Sequence, residues 1–534
     1  MALCPAAFAQ QIPSAGSQMQ QIPPTPSLQR ATPKVDVQPA GTPTLAQPDT
    51  VKIIVNSLRV TGAQAYSEVQ LLGLTGFRAG SNLSLSDLRV MAARIADFYH
   101  QNGYFLARAY LPEQDIQNGV VMVAVLEGLY GKVALNNQTH VSNNLVNGLL
   151  EGLNSGDPVT SAPLESRLLL LSDLPGVKVS STLIPGTSAG TSDLIVDLAP
   201  GQRVTGSIDA DNAGNRYTGV NRVGATVNFN EPIGQGDVAT LRALTSGAGL
   251  NYVRASYQMQ FGKARAGVAY SALRYELGQE FENLGANGTA EIASLYGSYP
   301  LIRSRSNNLY AGLAFDTKTF QDKVDTTATV TDKRAQVLMA SLNGDHSSAG
   351  GTSVYSLTWT TGNIDLQTPV MQSIDALAAQ SNGHFNKLGF SATRLQRLTD
   401  TISLSAAFNG QLASKNLDVS EKMELGGMYA VRAYPEGEAY ADQGYVLNLE
   451  VRLQLSAPLQ LIGFIDTGSV DVNKTPWAAG QTRRTLSGAG VGLIWSQSNN
   501  FMVRAYYAFK VGGEVAKSAP DTSGRFWIQA VKYF

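Results

Sequence analysis

Residues 445–455 alternate without interruption. Tyr445, Leu447, Leu449, Val451, Leu453 and Leu455 share one face, and Asn448, Glu450, Arg452 and Gln454 the other. A period of two over this length predicts a strand with one apolar and one wetted side. The same pattern recurs after residue 201. Tyr252, Arg254, Ser256, Gln258 and Gln260 interleave with Val253, Ala255, Tyr257, Met259 and Phe261. Phe501, Val503, Ala505, Tyr507 and Phe509 interleave with Met502, Arg504, Tyr506, Ala508 and Lys510. Turn-forming stretches at 283–288, 347–351 and 496–500 separate such segments. About sixteen segments fill the last ~335 residues, roughly 21 residues per strand and connection, the spacing of a membrane barrel. Phe534, with apolar residues at every second position behind it, suits a last strand that closes the ring; Lys532 fits that strand poorly.

Before residue 201 the periodicity differs. A strand is expected over 53–60, a short helix end at 71–74, and a helix opened by Ser84 or Ser86. Leu88, Met91, Ala92, Ile95, Phe98 and Tyr99 recur at helical spacing until Asn102-Gly103 ends the run. Strands at 105–111 and 120–126 complete a small α+β module over residues 51–128. A second copy is expected over 129–200, with a strand at 131–136, helices near 145–153 and 163–174, and strands at 177–184 and 193–198.

Residues 10–50 are rich in Gln, Pro, Thr and Ala and cannot bury enough apolar surface to fold alone. Residues 14–22 are compatible with a short helix ended by Pro23-Pro24, though composition alone reads as a plain linker. Ala7-Phe8-Ala9 has the small-x-small form of a signal-peptidase site, so residues 1–9 are expected to be the remnant of a signal peptide. Cleavage after Ala9 would remove Cys4, the single cysteine.

Composition narrows the function. Lys+Arg 40 against Asp+Glu 41 gives a net charge of -1 and no reason to expect a nucleic-acid partner. Charged residues at 15% with 52 glycines suit strands and turns better than a helical enzyme. No apolar run approaches the roughly 18 residues of a membrane helix, so a membrane span would require a closed barrel. No cofactor or metal is expected: His100, His140, His346 and His384 lack ligand spacing. No nucleotide-binding loop is present. Gly186-Thr187-Ser188-Ala189-Gly190 matches G-x-S-x-G, but a Pro185 turn precedes it and a strand follows, the wrong context for a nucleophile elbow.

The glycine- and tyrosine-rich stretch before residue 443 carries Val431-Arg432-Ala433-Tyr434, and a later strand carries Phe464-Ile465-Asp466-Thr467-Gly468. These resemble the VRGY/F and FxDxG motifs of the two-partner secretion transporters (TpsB, haemolysin activation/secretion proteins). The resemblance covers nearly the whole layout. It implies a plug helix, two periplasmic POTRA domains over 51–128 and 129–200, and a sixteen-stranded outer-membrane barrel over 201–534. It also implies an inward-folded loop near 413–442, a large secreted exoprotein as partner, and no enzymatic activity. The functional residues it implies are Val431, Arg432, Ala433 and Tyr434 on the loop and Phe464, Asp466 and Gly468 on the wall. A monomer is expected. Two departures stand out: the motif glycine is Ala433, and the N-terminal helix is weak and bounded by proline. Rival readings are an outer-membrane insertase of the same superfamily and a passive porin.

Strand parity bears on the pair independently. With Leu461 and Ile465 facing lipid, Asp466 faces the lumen, where a carboxylate can persist and Arg432 can offer its fork of donors. Tyr429 and Tyr434 are candidates for packing on the barrel wall. Glu436, Glu438 and Asp442 are compatible with a second lumenal set, but read first as a charged loop tip.

Overall fold

The structure, a computed structural model, describes residues 12–26, 34–37, 51–477 and 482–534. The expected signal-peptide remnant, residues 1–9, lies outside them, as does much of the 10–50 segment. In chain order the first elements are α1 (Ala15–Gln20) and β1 (Lys34–Val37). The chain divides into two compact units, Ala31–Gly201, and Met1–Arg30 together with Gln202–Phe534.

The first unit opens with β2 (Lys52–Val55), β3 (Ser57–Thr61), α2 (Glu68–Thr75), β4 (Ser81–Ser84), α3 (Leu85–Gln101), β5 (Arg108–Tyr110) and β6 (Val120–Leu126). The single strand expected over 53–60 is two. The N–H groups of Asn56 and Ser57 turn to the carbonyl of Gly119 (2.8 and 3.2 Å), sending β2 to pair with β4 and β3 with β6. The strand expected over 105–111 shortens to β5 because Ala107 N–H closes a turn on Tyr104 O (2.9 Å). Helix α3 starts where expected: Ser84 accepts from Asp87 N–H, and Asp87 accepts from Ser84 N–H at 2.9 Å, a reciprocal cap. The Ser84 N–H and hydroxyl hold the Asp87 carboxyl below its ordinary value. The apolar stripe of α3 (Leu88, Ala92, Ile95, Tyr99) buries against Val55, Leu58, Val121 and Val123. Glu127 is also buried, and it accepts from Gln64 N–H, Ala65 N–H and Tyr99 O–H at 2.7, 2.8 and 2.7 Å. Burial first, and then that carboxylate, push the Tyr99 hydroxyl up.

The same unit continues through β7 (Leu129–Asn137), α4 (Asn143–Leu150), α5 (Ser161–Ser172), β8 (Val177–Pro185) and β9 (Thr191–Pro200). Leucines of α4 and α5 pack on Leu183, Leu194 and Val196 of the sheet. The sheet order is β1-β8-β9-β7. The proline-bounded N-terminal segment therefore supplies a strand, parallel to β8 from the Lys34–Ser180 pair to Val37–Leu183. The G-x-S-x-G stretch is the turn between β8 and β9, where Thr191 hydroxyl donates to Ser188 O at 2.7 Å.

The second unit is a closed antiparallel barrel. Its first strands are β10 (Val204–Asp211), β11 (Arg222–Asn230), β12 (Val238–Thr245), β13 (Leu250–Phe261), β14 (Ala264–Glu276) and β15 (Ala286–Arg303). Then come β16 (Asn307–Val324), β17 (Thr329–Ser348), β18 (Gly351–Leu366), β19 (Gly383–Arg397) and β20 (Ile402–Ala413). A long segment carrying two short strands, β21 (Met423–Glu424) and β22 (Tyr440–Ala441), precedes the last five. These are β23 (Gln443–Ser456), β24 (Leu459–Asp471), β25 (Arg483–Gln497), β26 (Phe501–Lys510) and β27 (Gly524–Tyr533). Strands β10 and β27 pair over Ser207–Asp211 and complete a ring of sixteen, which leaves no edge unpaired.

Each strand presents alternate residues outward. On β24, Leu461 and Ile465 are exposed while Ile462, Phe464 and Asp466 are buried inside. Lys532 points outward on β27, and its ammonium reaches Asn500 in the adjacent turn. That places the charge at the rim, where a long stem can carry it out of an apolar band. The end at which β10 begins has short turns, such as the one at 262–263. The opposite end has long connections, including α6 (Pro369–Leu377) and residues 414–442. Short turns mark the periplasmic end of an outer-membrane barrel.

Candidate functional site

Residues 414–442 fold back into the lumen. Pairing of β21 with β22 closes the base of this loop, and the Gly426–Val431 bridge tightens its tip. Leu425, Met428, Val431, Ala433 and Tyr434 bury against Ile462, Phe464, Leu486, Tyr506 and Trp527 of the wall.

The loop brings Arg432 onto Asp466. Arg432 Nε lies 2.9 Å from Asp466 Oδ2 and its Nη2 2.7 Å from Oδ1, a bidentate fork, and its backbone N–H donates to Oδ2 at 3.1 Å. Its third guanidinium nitrogen donates to Glu450 Oε1 at 2.8 Å, and Arg452 holds the other oxygen of Glu450 at 2.7 Å. The guanidinium carbon sits 3.5 Å from the Phe464 ring centre and 4.9 Å from that of Tyr506. Asn448, paired across strands with Asp466, donates to Asp466 Oδ1 and to Ala430 O, both at 2.8 Å. Trp527 Nε1 donates to Arg432 O at 2.7 Å. Asp466 is 0% exposed and Arg432 4%, so this pair survives burial only because nearly every polar atom has a partner.

The remaining motif residues have steric roles. Ala433 keeps φ negative, so the motif needs no glycine torsion at this position. The space is made opposite: a Cβ on Gly488 would lie 2.5 Å from Ala433 Cβ. A Cβ on Gly468 would lie 2.5 Å from Leu425 Cδ1. Tyr434 is fully buried, with its hydroxyl donating to Glu514 O at 3.0 Å. Tyr429 touches the wall through Gln529 and Arg504 but remains 44% exposed to the lumen.

Glu436, Glu438 and Asp442 do not form a charged tip; all three are buried. Glu438 pairs with Arg484 and accepts from Lys517 N–H, Ser518 N–H and Ser518 hydroxyl at 2.8, 3.0 and 2.9 Å. Asp442 accepts from Leu417 N–H and Lys474 N–H at 2.9 and 2.8 Å and pairs with Lys422 at 3.0 Å. Glu436 accepts from Met428 N–H at 2.9 Å. Donors folded in from distant strands and connections offset the cost of burying these carboxylates.

Sequence reasoning missed a second ionic group. The turn Val419–Glu421 is flanked by Asp418, paired with Lys333 of β17 at 2.8 Å, and includes Glu421, paired with Lys318 of β16 and Lys387 of β19 at 2.7 and 2.9 Å. Helix α1, which composition reads as linker, lies in the lumen against this turn and against β14, β15 and β16. Its Ala15 N–H donates to Asp322 at 2.7 Å, and Thr218 hydroxyl donates to Gln18 at 2.7 Å. Between the loop and β18–β20 a space of about 400 Å³ remains, lined in part by Thr358, Gly389, Ser391, Asn409 and Gln411. Among the described residues no group of three or more His, Cys, Asp and Glu side chains is placed to hold a metal.

A closed sixteen-stranded barrel, a preceding POTRA-type module and a lumenal loop bearing these motifs together define an outer-membrane secretion transporter of the two-partner class. The chain belongs to the haemolysin secretion/activation protein ShlB/FhaC/HecB family, whose model matches residues 190–494; residues 53–128 match the ShlB-type POTRA domain. The heme/hemopexin transporter protein HuxB of Haemophilus influenzae (strain 86-028NP) is 28% identical over 467 residues, which cover 85% of this chain and 82% of that protein. The solved structure of CdiB from Escherichia coli is similar at a TM-score of 0.70 with 20% identity over 93% of both chains. BamA from Haemophilus ducreyi lacking POTRA domains 1–3 shares the fold at a TM-score of 0.55 and 12% identity, covering 90% of this chain and 100% of that one. Family membership favours secretion over the insertase and porin alternatives.

Proposed function

We propose that this chain takes up the extended N-terminal region of a large, β-rich exoprotein in the periplasm and conducts the unfolded polypeptide to the cell surface without ATP. The observation that carries this reading is the filled lumen. A loop pinned through Arg432 and a helix lacking any charge share the inside of a closed cylinder, and such filling has a use only if it moves. Val431, Arg432, Ala433 and Tyr434, set against Phe464, Asp466 and Gly468, hold the loop in the transport-competent arrangement. Residues 51–128 and 129–200 act as two POTRA domains that receive the client by strand addition, in which backbone hydrogen bonds give affinity. The edge of β8 already carries β1, so addition falls to a free sheet edge such as β5 of the first module. The chain works as a monomer and catalyses no reaction; folding of the client outside removes its option of sliding back. The secreted partner belongs to the chemical class suggested by relatives named for hemopexin and haemolysin transport.

The test is removal of residues 51–200. Loss of the exoprotein from culture supernatants, with barrel conductance retained in planar bilayers, is the expected result. Export at the parental level would overturn the reading.

A further inference from the structure

Helix α1 reads Ala-Gly-Ser-Gln-Met-Gln and spans six residues, too short to persist as a helix without packing. Its position therefore depends on its seat. Part of that seat is the Val419–Glu421 turn. A Cβ on Gly16 would fall 2.8 Å from Ser420 Cβ and 3.1 Å from Ser420 Cα, so helix and turn meet nearly backbone to backbone. Gln20 Nε2 also donates to Val419 O at 3.0 Å.

The turn is itself held by charge on both sides of Ser420. Asp418 accepts from Ser420 N–H at 2.9 Å and takes both carboxylate contacts from Lys333, at 2.8 and 3.0 Å. Glu421 lies between Lys318 and Lys387, and Lys387 also donates to Glu421 O at 2.9 Å. These five side chains are mostly buried, so removing the ammonium groups leaves two carboxylates without compensation and forces the turn to move toward water. None of the three lysines touches Arg432, Asp466 or Glu450 in these contacts.

We propose that Lys318, Lys333 and Lys387 are positioning residues that keep the Val419–Glu421 turn in place as the seat of α1, and so set how long the helix occupies the lumen, separately from the Arg432 anchor. This rests on the transporter reading only for why the helix should leave; the readouts below require no exported partner, so the two can fail independently.

The experiment uses the full chain with Cys4→Ser and Met19→Cys, reconstituted in bilayers. It measures maleimide labelling of the position-19 thiol and the mean ion conductance. Lys318→Met/Lys333→Met/Lys387→Met is expected to raise both by about tenfold, the change that a shift of roughly 1.4 kcal/mol in helix occupancy produces. Lys333→Met with Asp418→Asn removes both charges of one pair and keeps an oxygen to accept from Ser420 N–H, so both values should lie nearer the parent than in Lys333→Met alone, which a general loosening of the barrel would not produce. Gly16→Ala alters no charge and no barrel residue, and it should act in the same direction by pushing α1 off Ser420. Should the triple variant fail to assemble, the single Lys333→Met is measured in its place, and Gly16→Ala, which leaves the lysines intact, checks that α1 rests on Ser420. Labelling and conductance within about twofold of the parent in the assembled lysine-to-methionine variant would overturn the proposal.

Discussion

The two ionic anchors of the lumenal loop have opposite polarity. At the β23–β24 wall the loop supplies the cation, Arg432, and the barrel supplies Asp466 and Glu450. At the β16–β19 wall the loop supplies Asp418 and Glu421, and the barrel supplies three lysines. The first anchor is a planar fork stacked on Phe464, and it tolerates one geometry. The second consists of flexible point charges spread over three strands, in which a single loss leaves other contacts standing. On the proposed transport reading, in which the filling is held and then released, the first anchor sets register and the second sets grip.

The comparison can be broken most severely at Arg432. Arg432→Asp or Asp466→Arg strands like charges in a buried site, and breaking such a pair costs roughly 3–5 kcal/mol. Export to the supernatant should fall to background, and parental export by both variants would end the claim that this anchor differs in kind. Arg432→Lys retains charge but loses the fork, and should reduce export partially. Gly488→Ala places a methyl against Ala433 and should cost about 1–3 kcal/mol, read as a lower midpoint of heat-induced barrel unfolding. Adding Ala433→Gly should restore that midpoint; no recovery would mean the contact does not matter. A single Lys333→Met should raise conductance while export continues, and a loss of export as complete as that of Arg432→Asp would make the two anchors equivalent. The smallest effect is expected away from the barrel. Ser84→Ala removes the α3 cap at about 1 kcal/mol and should lower only the melting of the Ala31–Gly201 unit. The Asp87 carboxyl is held low by the same cap, so its contribution is present at neutral pH and lost as pH falls through that lowered value. A melt of that unit insensitive to acid would argue against the cap.

Legibility followed the range of the interactions. Period-two patterning alone put Asp466 on the inward face, because parity is a local property of a strand. Glu450 and Asn448 sat on a recognised polar face, but their partners emerge only from the register that sets Asn448 opposite Asp466. The burial of the loop acids is hidden from local pattern for the same reason. Glu438 looks like solvent-exposed charge until Arg484 and Ser518, 46 and 80 positions away, fold onto it. Lys318, Lys333 and Lys387 each stand alone on a mixed strand, and α1 shows no apolar stripe. The lysines meet acids 34 to 103 positions away and α1 packs on segments 200 to 399 positions away, pairings that composition does not encode.

Strand β1 has a kinetic consequence. Because the chain completes the sheet beside β8 with its own backbone, that site sees a covalently delivered competitor at high effective concentration. Any incoming polypeptide must outbid a tethered rival held by only four residue pairs. On the transport reading this keeps client segments off β8 and directs strand addition to a free edge such as β5.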